Sequence, residues 1–362
     1  MFNKDNTEWK DGTGSLILGQ KPALLDSINR KHKVLFDLYK KQKEIDWSED
    51  EINLNQSRID FTACPKPVYD LMLKNLAFQW ELDSVASRSV SVLFAPFITD
   101  SDFWLAVSKN GEIENTHSLT YADIGKICLP DATELYKEVM ECPDVLSRAD
   151  TVTSVLKDLQ KAGAEYSLGL VENNQELYNK VFMGLVAIYC LERIQFMASF
   201  ASTFSVVELD YFQGIGSLVQ KIMQDEYYIH CRVWEYVLKV EMNTHRGIVA
   251  FMSLRDKIEK LISEIVQREY DWNNYLFNSV GRVSGYNELL ANEWVDWNAQ
   301  DVYMLFSITP PMDIQVVNPL PFMDKWLDLD KFQNANQEGD NNNYRLNCFV
   351  NDIPEGKTYE WY

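Results

Sequence analysis

The chain has 362 residues, 46% of them hydrophobic, and a formal net charge of -20. That is ample material for a large core, and too acidic a surface to wrap a nucleic-acid backbone, which requires clustered Lys and Arg to displace counterions. The six cysteines (Cys64, Cys128, Cys142, Cys190, Cys231, Cys348) form no C-x-x-C pair and read as structural thiols of a reducing compartment.

In chain order, helical periodicity predicts helices over roughly 20–45, 66–90, 102–129, 172–203, 210–240, 246–279 and 285–306, with few segments alternating as strands do. The fold class expected is all-α. Pro65 and Pro67, Pro130, and Pro310 and Pro311 fall between these stretches, where they would punctuate helix ends, and no internal repeat is visible. The N-terminus, MFNKDNTEWKDG, lacks the apolar core of a signal peptide, and the longest apolar run, Val181 to Leu191, stops at Glu192, too short to cross a bilayer. A cytoplasmic protein that engages no membrane is expected. After Asp330 the composition turns to FQNANQEGDNNNY, which predicts a helical domain over 1–330 and a mobile tail over 331–362. The tail ends in DIPEGKTYEWY, aromatic and acidic, as suits a segment that docks on a partner.

The informative residues are charged ones where a helix should be apolar. On the helix from Pro67, Asp83 follows Met72 and Leu76 on one face. The next helix carries a stripe of Phe103, Val107, Asn110, Glu114, His117, Tyr121, Ile124 and Cys128, so its inward face holds a glutamate, a histidine and a tyrosine. Glu192 interrupts a helix that is hydrophobic nearly all round, from Val181 to Phe204, and its neighbour Arg193 points about 100° away around the helix. A further stripe, Val219, Ile222, Glu226, His230, Val233, Val237 and Val240, again replaces core apolars with an acid and an imidazole.

A buried carboxylate must be protonated, paired or bound to a metal, because desolvating it alone costs on the order of several kcal/mol. One E-x-x-H on a helix is common and is usually solvated. Two helices each giving a lone acid, and two each giving a Glu with a nearby His, is the ligand plan of ferritin-like dimetal carboxylate bundles. Four carboxylates and two imidazoles without thiolate suit iron, with manganese the alternative.

At this point the chain resembles the small subunit of class I ribonucleotide reductases, from about Trp47 to Trp326. The stretches that carry the likeness are SRIDF (Ser57 to Phe61), LDSVASRS (Leu82 to Ser89), EIENTHSLTY (Glu112 to Tyr121), LERIQFMASFASTF (Leu191 to Phe204), QDEYYIH (Gln224 to His230), DWNNYLF (Asp271 to Phe277) and NPLPFMDKWL (Asn318 to Leu327). The resemblance implies a ferritin-like bundle with additional helices and two metal ions per chain. One ion would be held by Asp83, Glu114 and His117, the other by Glu192, Glu226 and His230, with Glu114 and Glu226 bridging. It implies a tyrosyl radical on Tyr121, walled by Phe196 and Phe200, and a radical path involving Trp47 and Asp225, the latter bonded to His117. It also implies a relay through Tyr344, a tail including Tyr359, Trp361 and Tyr362 that docks on the reductase large subunit, and a homodimer.

One departure stands out. The family spaces the second Glu and His by three residues, whereas Glu226 and His230 are four apart, which predicts an inserted residue or a π-bulge. Asp225 is the rival ligand, although at five residues from His230 it lies about 140° around the helix. Two other functions fit parts of the pattern: a dimetal oxidase or desaturase acting directly on an apolar substrate, and a non-catalytic helical protein whose inward acids are merely paired.

Overall fold

The computed structural model describes residues 3–8, 15–22, 24–26, 28, 30–281 and 283–328. The elements are α1 (Lys33–Glu44), α2 (Asn55–Ala63), α3 (Lys66–Phe94), α4 (Ser101–Cys128), α5 (Thr133–Glu141), α6 (Pro143–Ser167) and α7 (Gln175–Cys190). A π-helical turn, Leu191–Phe196, joins α7 to α8 (Met197–Val207). A second, Glu226–His230, joins α9 (Gln213–Asp225) to α10 (Cys231–Glu241). The fold closes with α11 (His245–Val280), α12 (Glu288–Leu305) and α13 (Phe322–Leu327). Among the described residues the only β pairing is two isolated bridges, Ile17 with Ile98 and Val283 with Tyr286.

The long helices form where side chains satisfy their first amides. Asp100 accepts from the N–H groups of Asp102 and Phe103 at 2.9 Å to open α4, and Asn174, Thr244 and Asn287 cap α7, α11 and α12 in the same way. The start of α9 is secured from another helix: Asp60 Oδ2 accepts from the Phe212 N–H at 2.8 Å and Ser57 Oγ from the Ile215 N–H at 3.3 Å. This holds Phe212 at a left-handed φ of 58° and gives Ser57 and Asp60 a structural role. At the α10–α11 corner a Cβ on Gly247 would lie 1.7 Å from the Glu241 carbonyl oxygen, so only glycine fits.

The helices enclose one hydrophobic core. Helices α3 and α4 pack along each other, α8 packs on α3, α11 covers α7, α1 lies over α4 and α10, and the two π turns touch. The helix running Gln175–Val207 is 33 residues long with a mean hydropathy of 1.5 over its most apolar window, but 94% of that window is buried. Continuation through Glu192 makes it longer than the apolar run alone suggests, and its burial makes it the central core helix.

Expected and observed helices differ both at their edges and in number. The first begins at Lys33 rather than near residue 20, because the chain around Pro22 is irregular. Helices α2, α5, α6 and α13 were not expected. The inward stripe of α6 includes Arg148, Ala149 and Gly163, a charge and two small residues that blur its apolar periodicity. The expected tail, 331–362, with Tyr344, Cys348, Tyr359, Trp361 and Tyr362, lies outside the described residues, as does the 330/331 boundary.

Candidate metal centre

Asp83 comes from α3, Glu114 and His117 from α4, Glu192 from the first π turn, and Glu226 and His230 from the second. All six have no measurable solvent exposure. They converge as two groups whose donor atoms lie within 4.8 Å of one another: Asp83, Glu114, His117 and Glu226, and Glu114, Glu192, Glu226 and His230. Glu114 and Glu226 belong to both.

The shared glutamates each turn one oxygen to each imidazole. Glu226 Oε1 is 3.0 Å from His117 Nδ1, and its Oε2 is 2.9 Å from His230 Nδ1. Glu114 Oε2 is 3.5 Å from His117 Nδ1, and its Oε1 is 3.1 Å from His230 Nδ1. Each carboxylate therefore spans the two groups. The four-residue step between Glu226 and His230 falls within a π turn, the local widening that the spacing predicts. The π turn around Glu192 was not anticipated.

Both carboxylate oxygens of Asp83, Glu114, Glu192 and Glu226 lack a hydrogen-bond donor of good geometry, as do His117 Nδ1 and both His230 ring nitrogens. So many orphaned buried acceptors in one place are untenable unless cations or protons occupy the space between them. Burial pushes the carboxyls of Asp83 and Glu192 well above their ordinary range, assisted by neighbouring carboxylates. Glu226 is held low despite burial, because His230 and His117 face it. Burial opposes charge on the imidazoles, yet carboxylate contacts raise His117 strongly and His230 to about 10. Protons on these groups stand where two divalent ions would place positive charge, and metal binding would release them. The donor set, all oxygen and imidazole nitrogen, fits hard or borderline divalent metals.

Asp225 lies outside both groups. Its Oδ2 accepts from the Trp47 indole N–H at 2.7 Å and contacts His117 Nε2 at 3.0 Å, and its Oδ1 accepts from Gln42 Nε2 at 2.8 Å. The Trp47 ring is stacked on the His117 ring at 5.9 Å between centroids. With its ε nitrogen on Asp225, His117 offers Nδ1 to the cluster, the usual division of labour for a metal-binding imidazole. Gln42 escaped the sequence reading: the only available signal was its seven-residue spacing from Leu35, the other buried residue of α1.

Tyr121 lies one helical turn beyond His117, fully buried, with a hydroxyl that has no partner. Burial raises the phenol well above its ordinary value, and Asp83 is the carboxylate acting most strongly on it. Phe196 and Phe200 are fully buried and stacked at 5.9 Å. Arg193 does not pair with Glu192; it turns to Asn298 and to Asp301, whose Oδ2 it meets at 2.6 Å.

An all-α bundle with a buried six-residue carboxylate and histidine cluster defines the class: a ferritin-like protein with a candidate dimetal centre. Residues 26–319 match the family described as ribonucleotide reductase, small chain, and the chain belongs to that family. It is 23% identical over 365 residues to the ribonucleoside-diphosphate reductase subunit beta of Buchnera aphidicola subsp. Schizaphis graminum, covering 97% of this chain and 95% of that one. The corresponding subunit of Enterobacteria phage T4 is 24% identical, with 90% of each chain covered. In fold, it matches a ribonucleotide reductase R2 subunit from Clostridium botulinum with a TM-score of 0.78 at 19% identity, over 91% of this chain and 98% of the other. The dimanganese(II)-NrdF of Streptococcus sanguinis gives a TM-score of 0.66 at 14% identity, over 82% and 96%.

Proposed function

We propose that this chain is the radical-generating small subunit of a class I ribonucleoside-diphosphate reductase, working with a large subunit that reduces ribonucleotides. The observation that carries the reading is the pair of shared glutamates, each presenting one oxygen to His117 and one to His230. Asp83, Glu114 and His117 would hold one ion, and Glu192, Glu226 and His230 the other, with Glu114 and Glu226 bridging. Iron fits this donor set, and manganese fits it as well.

When bound, the metal pair supplies the oxidising equivalents, drawn from dioxygen or a reduced oxygen species, that take one electron from Tyr121. The chain's own part is to keep Tyr121 a neutral phenol until then and to exclude solvent afterwards. Complete burial of Tyr121 favours both. Asp83 is the carboxylate that acts most strongly on the phenol, and together with burial it opposes loss of the phenol proton before oxidation. Trp47, Asp225 and His117 form a hydrogen-bonded line from the cluster toward α1, a route for transfer between the chain surface and Tyr121. The relay beyond it is assigned to Tyr344, in the tail that docks on the large subunit.

A homodimer suits the exposed apolar side chains of Val92 on α3 and Leu119 and Ile127 on α4. A cytoplasmic setting suits the free thiols among the described cysteines. The direct test is ribonucleoside-diphosphate reduction by the metal-loaded protein with a large subunit of the same enzyme. Turnover should require both chains and vanish in Tyr121→Phe; unaltered turnover by Tyr121→Phe would sink the assignment.

A further inference from the structure

A π turn gives up regular helical hydrogen bonds, so it persists only where tertiary contacts hold the extra residue in place. The turn around Glu192 has such a contact, made to residues outside the metal groups. Gln195, three residues after Glu192 and fully buried, donates from Nε2 to the Arg148 carbonyl oxygen at 3.0 Å and to Glu269 Oε1 at 3.1 Å. Glu269 is itself fixed by Arg148, whose Nε donates to its Oε1 at 2.8 Å and whose Nη2 meets its Oε2. The guanidinium is clamped in turn, 3.5 Å from the Phe78 ring centroid and 4.9 Å from that of Trp272. One amide side chain thus ties the π turn to both α6 and α11.

A buried Arg–Glu pair is a poor stabilising device, since well-packed apolar residues do as well or better. Stability alone therefore does not account for placing one against this turn. The two metal groups, moreover, are unequal in their dependence on it. Glu192 belongs only to the group with Glu114, Glu226 and His230; the group with Asp83 and His117 draws nothing from residues 191–196.

We propose that Gln195, oriented by Arg148 and Glu269, is a positioning residue that holds the turn in its widened form and so sets Glu192 for one of the two metal positions. The proposal rests on the dimetal reading above. It predicts an asymmetric defect: losing the Gln195 bonds weakens one metal position and spares the other.

The test is anaerobic titration of the full chain with Mn(II), reading free ion by its electron paramagnetic resonance signal, beside urea denaturation of the metal-free protein. Gln195→Met keeps length and volume but removes both hydrogen bonds. One equivalent should bind as in the wild type and the other about 10- to 100-fold more weakly, the usual cost of losing a group that orients a ligand. Glu269→Gln weakens the ion pair but keeps an amide oxygen for Gln195; it should lower stability and weaken only the same equivalent, by less than Gln195→Met does. The proposal is overturned if folded Gln195→Met binds both equivalents normally, or if affinity at both positions falls in step with stability in the two variants. Failure of the wild type itself to bind manganese or iron would overturn the dimetal reading, and this inference with it.

Discussion

The indole of Trp47 and the carboxylate of Asp225 meet at 2.7 Å, on the same oxygen that lies 3.0 Å from His117 Nε2. Asp225 therefore serves two neighbours at once, orienting the imidazole and linking it to the buried Trp47 ring. Trp47→Phe leaves the ring stacking on His117 available but removes the donor. Two metals per chain and the Tyr121 radical should persist, while turnover with the large subunit falls by about 100-fold or more, a loss confined to transfer. Parallel metal counts, radical quantitation and activity check this, and normal turnover would remove Trp47 from the route.

Glu192 illustrates how a candidate metal site can work against the stability of the metal-free protein. Its carboxyl is raised by burial and by Glu226, so the folded state disfavours its charge, and stability from this group is lost as pH rises above the ordinary carboxylate range. Glu192→Gln should make the metal-free protein more stable at pH 8, by more than the ~0.5 kcal/mol typical of a surface change. The same variant should lose one bound metal. Urea titration of the metal-free forms and metal analysis of the loaded ones measure the two effects separately.

Away from the cluster, Glu241 is buried at 1% exposure against the Tyr178 hydroxyl, and burial lifts its pKa from 4.5 to about 7. Between these values the unfolded chain releases a proton that the folded chain keeps, so stability declines as pH rises through that window and then levels off. Glu241→Gln keeps an acceptor for Tyr178 and removes the slope. Relative to wild type, the variant should gain on the order of 3 kcal/mol at pH 8 and almost nothing at pH 4. Denaturation curves of both proteins across pH 4–8 give the difference directly.

Much of the site could be read from sequence because its residues break strong patterns. Glu114, His117 and Tyr121 interrupt an apolar stripe, Glu192 interrupts a helix that is otherwise apolar, and the four-residue step from Glu226 to His230 marks its own π turn. The turn at Glu192 left no such trace, since Glu192 has no second ligand on its helix whose spacing could reveal an inserted residue. Gln42 and Gln195 were invisible for a related reason: a neutral amide in a helix raises no charge alarm, and its partners, Asp225 in one case and Glu269 in the other, lie more than 70 positions away. The stretch at α6 was missed because Arg148, its most consequential inward residue, reads as a surface charge until Glu269 is placed against it.

The central claim joins a dimetal cluster to an oxidisable tyrosine, and one measurement addresses both parts. Protein loaded anaerobically with ferrous iron or manganese, then exposed to oxygen with any reduced co-oxidant it requires, should contain about two metals per chain. Its electron paramagnetic resonance spectrum should show an organic radical that is absent from Tyr121→Phe. Two bound metals with the same organic radical in Tyr121→Phe would contradict the role of Tyr121, and no bound metal under any loading condition would contradict the account at its base.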